Sequence, residues 1–98
     1  MARRRKFKHD FDKGVKREVE ILQASGIETF ESCQGGKGHT FPEATVRFYG
    51  GRTEGLRALH VALSNRLNAY NLRRVWRITD GELHGPWWEL TFFPLRKR

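Results

Sequence analysis

Apolar residues recur at helical spacing in two stretches of the chain and follow strand-like patterns in four others. Phe11, Val15, Val19 and Leu22 stand at steps of four, four and three, which predicts a helix over residues 12–24. Asp10 or Asp12 can cap its start, because a carboxylate accepts from orphan backbone N–H groups and suits the positive end of the helix dipole. Gly26 provides a left-handed stop. Ile27 to Cys33 reads as a first strand. Gln34 to Pro42 follows as a loop, with three glycines and a proline in nine residues. Glu43 to Tyr49 alternates as a second strand, and Gly50-Gly51-Arg52 turns the chain. Thr53 and Glu54 open a second helix whose stripe is Leu56, Leu59, His60, Leu63, Leu67 and Tyr70, ending near Asn68 to Asn71. Leu72 to Thr79 is a third strand, Asp80 to Pro86 a turn, and the aromatic-rich Trp87 to Phe93 a fourth strand that Pro94 closes.

The order is α-β-β-α-β-β. It predicts an α+β domain, a two-layer sandwich with a four-stranded antiparallel sheet and both helices on one face. The same order equals that of a ferredoxin-like fold whose first strand has moved to the end, an analogy that would place the fourth strand between the second and third and that leaves other four-stranded orders open. Bulky residues from Trp87 to Phe93 suit that interior position.

Alternation assigns the faces. Ala44, Val46 and Phe48, then Leu72, Arg74, Trp76 and Ile78, then Trp88, Leu90 and Phe92 should turn to the helices, with Arg74 near a strand end. The open face would hold Arg47, Tyr49, Arg73, Arg77, Trp87 and Phe93. Rings beside guanidinium groups suit a single-stranded nucleic acid or a nucleotide-like anion, since bases stack on rings while arginine meets phosphate. On this reading Arg47, Arg77 and Lys37 neutralise phosphate, and Tyr49 and Trp87 stack on bases. Glu31 and Glu89 share the face, oppose phosphate, and could pair with Arg47 or Arg77. Two other readings stand: ordinary cross-strand pairs on a plain surface, or an interface for a homodimer or a protein partner such as a phage-encoded inhibitor's target.

Composition narrows the class. Ninety-eight residues, 38% hydrophobic with seven Phe and three Trp, specify one domain with one core. No apolar run reaches the ~20 residues of a membrane span, and no signal-peptide pattern follows Arg3-Arg4-Arg5-Lys6, so a cytoplasmic protein without membrane contact is expected. The single Cys33 excludes an internal disulfide, and the scattered His9, His39, His60 and His84 give no metal-ligand spacing. The formal charge of +8 belongs to the ends: residues 1–9 form a basic arm expected to be disordered, residues 96–98 a basic tail, and residues 9–95 are formally neutral. Such arms make sequence-independent phosphate contacts or simply aid solubility.

In the loop, Gln34, Gly35, Gly36, Lys37 and His39 combine pliable backbone with a cation and an imidazole, so backbone N–H groups can turn to an anion. The alternative is a hairpin loop that needs glycine for its dihedrals. No P-loop spacing is present. Cys33 and His39 could form a thiolate–imidazole pair, but no orienting group or oxyanion donor accompanies them, and a half-buried Cys33 at a strand end is the expectation. His60 is expected in the core and His84 in a turn. No catalytic residue and no cofactor is assigned.

The segment Gly26-Ile27-Glu28-Thr29-Phe30-Glu31-Ser32-Cys33-Gln34-Gly35-Gly36, continued by Gly38 to Glu43 and Val46 to Phe48, resembles a group of short uncharacterised bacterial and phage proteins. Leu72 to Trp76, Asp80 to Glu82 and Gly85 to Phe92 are similar to theirs too. The resemblance covers residues 10–93 and implies a bacterial or phage origin, with no activity to carry over. Ser32-Cys33-Gln34-Gly35 is also similar to the Ser-Cys-Ser-Gly loop of the wybutosine tRNA-modifying methyltransferase family. Gln34 stands in place of the second serine, and the chain is too short for a cofactor-binding methyltransferase domain, so catalysis is not implied.

Overall fold

A computed structural model describes residues 15–36, 38 and 43–93. It is an α+β fold: α1 (Lys16–Ala24), β1 (Thr29–Gly35), β2 (Glu43–Phe48), α2 (Arg52–Ser64), β3 (Ala69–Thr79) and β4 (Glu82–Phe92). The sheet is antiparallel throughout, in the order β1-β2-β4-β3. The fourth strand therefore lies inside, between β2 and β3, as the permuted ferredoxin-like order requires.

Val46 and Phe48 of β2 share a sheet face with Leu90 and Phe92 of β4. They cluster with Val15, Val19 and Leu22 from the first helical segment and Ala58 and Ala62 from α2. Each large side chain buried there contributes roughly 1.5–3 kcal/mol of hydrophobic stabilisation. The helices run antiparallel to each other. Arg17 donates to the Asn65 carbonyl at the end of α2 (3.4 Å), and Arg57, near its start, donates to the Ser25 carbonyl after α1 (2.7 Å).

Several local expectations change. The expected start of the first helix, with Phe11 and its caps Asp10 and Asp12, lies outside the described residues. β1 runs Thr29–Gly35, two residues later than expected, and Cys33 is buried within it. The second helix stops at Ser64, so Leu67 and Tyr70 belong to the connection and to β3. Its inward face is Gly55, Ala58 and Ala62, while Leu56, His60 and Leu63 are exposed. The reason is steric. Trp88 projects from β4 into the helix, its indole N–H donates to the Gly51 carbonyl (3.0 Å), and a Cβ at Gly55 would stand 2.7 Å from its ring. Small residues admit the indole where leucines would not.

The largest change concerns the last hairpin. Only Asp80 and Gly81, at φ 51° and 79°, form its turn, and Glu82 already pairs with Thr79. Residues 82–86, expected as loop, are strand, and His84 stands opposite Arg77. β2 meets β4 only as far as Phe48 opposite Trp88, whereas β3 and β4 continue beyond as a two-stranded ribbon. Trp76 and Ile78, expected against the helices, lie on that ribbon and are exposed.

Candidate nucleic-acid interface

Strand register aligns four charged residues across the open face. Glu31 of β1 faces Arg47 of β2, Arg47 faces Glu89 of β4, and Glu89 faces Arg73 of β3. The side chains close the row. Arg47 donates from Nη1 to Glu31 (2.7 Å) and from Nε to Glu89 (2.9 Å), and Arg73 donates to the other Glu89 oxygen (2.8 Å). Arg47 and Glu89 are both buried. Burial pushes the Glu89 carboxyl up, but the Arg73 hydrogen bond and the Arg47 charge outweigh it and hold the group below the ordinary carboxylate range. The row is formally neutral. Arg47, expected to meet phosphate, is thus committed to the sheet.

The other expected residues fall at two ends of the sheet. At the hairpin end, where β2 and β3 finish, Phe30 bulges out of β1 between Thr29 and Glu31 and stacks on Tyr49 at 4.2 Å. Trp87 meets Phe30 edge-on at 6.1 Å, with the Arg47 and Arg77 guanidinium carbons 5.4 and 5.8 Å from its ring centre. Its ring is thereby already engaged by the protein's own cations, although Tyr49 and Arg77 remain exposed.

At the opposite, loop end stand Gln34, Gly35 and Gly36; Lys37 and His39 are outside the described residues. Gly35 has φ 82° and a Cβ there would lie 2.4 Å from the Glu43 backbone, so only glycine fits. Its N–H donates to Cys33 Sγ at 3.4 Å. Five residues separate Phe30 from Gly35, roughly 17 Å at strand rise. One nucleotide does not span both groups.

The loop end also carries a pair that sequence reasoning gave less weight. Tyr70, extra to the register between Ala69 and Asn71, stacks on Phe93 at 4.1 Å and donates its hydroxyl to the Glu43 carboxylate. That hydrogen bond, then burial and the carboxylate charge, raise the phenol above its ordinary range. Both rings are exposed. Placing Tyr70 in the helix hid the pair; the signal available was the short Asn68–Asn71 spacing before a strand.

The described residues also begin and end at the same end of the sheet. β1 and β4 finish there, β2 and β3 begin there, and the Arg17–Asn65 bond puts the start of α1 there. Residues 1–14, the 37–42 segment and residues 94–98 therefore all join the described fold at the loop end. The described residues balance at nine basic and nine acidic, so the formal +8 resides wholly in those joining segments.

No family model, curated protein or solved structure matches this chain. Among the described residues no group of three or more His, Cys, Asp or Glu side chains is placed to hold a metal ion, and no helix is long and apolar enough to cross a membrane.

Proposed function

We propose that the protein binds single-stranded nucleic acid at the loop end of its sheet. One observation supports this reading: the exposed Tyr70–Phe93 pair stands at the end of the sheet where the described residues connect to the sequence segments that carry the excess positive charge. The joining segments supply cations for phosphates, and Phe93 with Tyr70 supplies a stacking platform. Exposed glycine backbone at Gly36 permits close approach. The neutral Glu31–Arg47–Glu89–Arg73 row serves as scaffold, which moves the contact away from the centre of the face.

Fluorescence anisotropy of a labelled twenty-nucleotide dT strand tests this. With about five phosphate contacts, affinity should fall on the order of a hundredfold between ~50 and 200 mM salt. Phe93→Ala should weaken binding by about 1–3 kcal/mol, the worth of one stacked base. An unchanged affinity in Phe93→Ala, with loss in Tyr49→Ala, would move the site to the hairpin end. Absence of binding at low salt would refute the reading.

Glu43 supplies a finer check, because its carboxylate lies beside the platform and opposes phosphate. Glu43→Gln should tighten binding several-fold at low salt, an effect that salt erases. Weaker binding in that variant would mean that the Tyr70–Glu43 bond, rather than charge, governs the platform.

A further inference from the structure

The ribbon beyond Trp88 presents apolar side chains that the fold does not use. Ile78 and Leu83 are Cα partners, and Trp76 stands two residues before Ile78, so alternation puts the three on one face. Their exposures are 54% for Trp76, 72% for Ile78 and 66% for Leu83. Three adjoining large apolar groups on a projecting element mark a contact surface more than a scatter of single residues does.

Among the described residues β3 is also the terminal strand of the sheet, and past its irregularity at Tyr70 it runs from Asn71 to Thr79 with one edge that no described strand pairs. The strand beside that edge is cationic, with Arg73, Arg74 and Arg77 and no acidic residue between Asn71 and Thr79. Arg73 is held by Glu89, while Arg74 and Arg77, which lie over Trp88 and Trp87 of β4, have no carboxylate partner among the described residues. Arg74 lies with its guanidinium carbon 4.9 Å from the Trp88 ring centre, and its Nε is buried without a hydrogen-bond partner. Buried polar groups are ordinarily satisfied, so this donor marks the inner end of the strip as incomplete.

We propose that the free β3 edge and the Trp76–Ile78–Leu83 strip take an extended segment of another protein, in which aliphatic residues alternate with acidic ones. Main-chain groups of such a segment pair with the edge as an added strand. Its aliphatic side chains cover Trp76 and Ile78, and its carboxylates on the opposite face meet Arg73 and Arg77. Charge decides the occupant. A second copy would set one arginine-bearing edge against another, the arrangement that edge charges oppose. An acidic strand finds the edge complementary.

A panel of blocked nine-residue peptides alternating Val with Glu, Lys or Ser tests the proposal on the full chain. Amide hydrogen exchange and direct titration are the readouts. The Glu peptide should bind at least about tenfold tighter than the Lys peptide, since like charges across an interface are strongly disfavoured. It should slow exchange between Asn71 and Thr79. Trp76→Ser and Arg77→Gln, both at exposed positions, should each weaken binding while the protein keeps its circular dichroism spectrum. Equal binding of Glu and Lys peptides, protection elsewhere, or no binding by the Glu peptide would overturn it. So would a dimer mass by light scattering that Trp76→Ser reduces to monomer, which would assign the edge to a second copy. Saturation with the dT strand should leave peptide affinity unchanged, separating this surface from the loop end.

Discussion

Replacing Arg47 with methionine is expected to destabilise the fold by about 3–5 kcal/mol, measured from urea unfolding midpoints. The expectation follows from what the substitution leaves behind. Glu89 is 3% exposed and accepts from both Arg47 and Arg73; without Arg47 it keeps only the Arg73 hydrogen bond, and Glu31 loses its partner. Most of the loss is the cost of stranding a buried carboxylate, not the worth of the ion pair itself. Converting Glu31, Arg47 and Glu89 together to Leu, Met and Leu should therefore recover much of it. A loss under about 1 kcal/mol in the single variant would show Arg47 to be solvated and available for phosphate.

The same row sets a pH dependence. The folded state holds Glu89 below its ordinary value of 4.5, so the unfolded chain binds the proton more readily than the folded one does. The contribution is complete above the unfolded value and is lost as pH falls through the folded one. Wild-type stability should thus decline from about pH 5 downward, and Glu89→Gln, weaker at neutral pH, should show a shallower decline. An identical acid limb in the two proteins would contradict the assignment.

Gly55→Val carries the other large effect. Three atoms of the Trp88 ring lie 2.7 Å from an ideal Cβ at this position, and the indole is held by the Gly51 carbonyl, by Arg74 and by stacking near Phe48. The ring has little freedom to retreat. Overpacking of this kind costs about 3 kcal/mol, the upper part of the usual range. Elsewhere in a helix, removing a glycine gains up to ~1 kcal/mol of propensity. Here even Gly55→Ala should come out destabilising, and Trp88→Phe should relieve it. A stabilised Gly55→Ala protein would mean that α2 shifts freely on the sheet.

That contact also explains what was legible in the sequence. The helix-facing residues Val46, Phe48, Leu90 and Phe92 followed from alternation, because those positions repeat with period two and are buried, while the strand order followed from the likeness of the element order to a permuted ferredoxin-like fold. The stripe on α2 did not, because periodicity favours the large apolar residues, while packing against Trp88 selected the small ones. The hairpin loop was drawn too long because Gly85 and Pro86 read as turn residues; both are accommodated at the irregularity between Val75 and Arg77. The candidate residues on the open face were legible as a set. Their division between two ends of the sheet was not, since alternation assigns a face but no position along it. Tyr70 required knowing where α2 ends.

The most direct test of the loop-end interface is a footprint. Backbone amide shifts of the isotopically labelled full chain should be followed during titration with the dT strand at low salt. Binding at the loop end predicts the largest changes at Gly35, Gly36, Glu43, Asn71 and Phe93, with Phe30, Tyr49, Arg77 and Trp87 little affected. Changes concentrated at Phe30, Tyr49 and Trp87, or none at all, would contradict it.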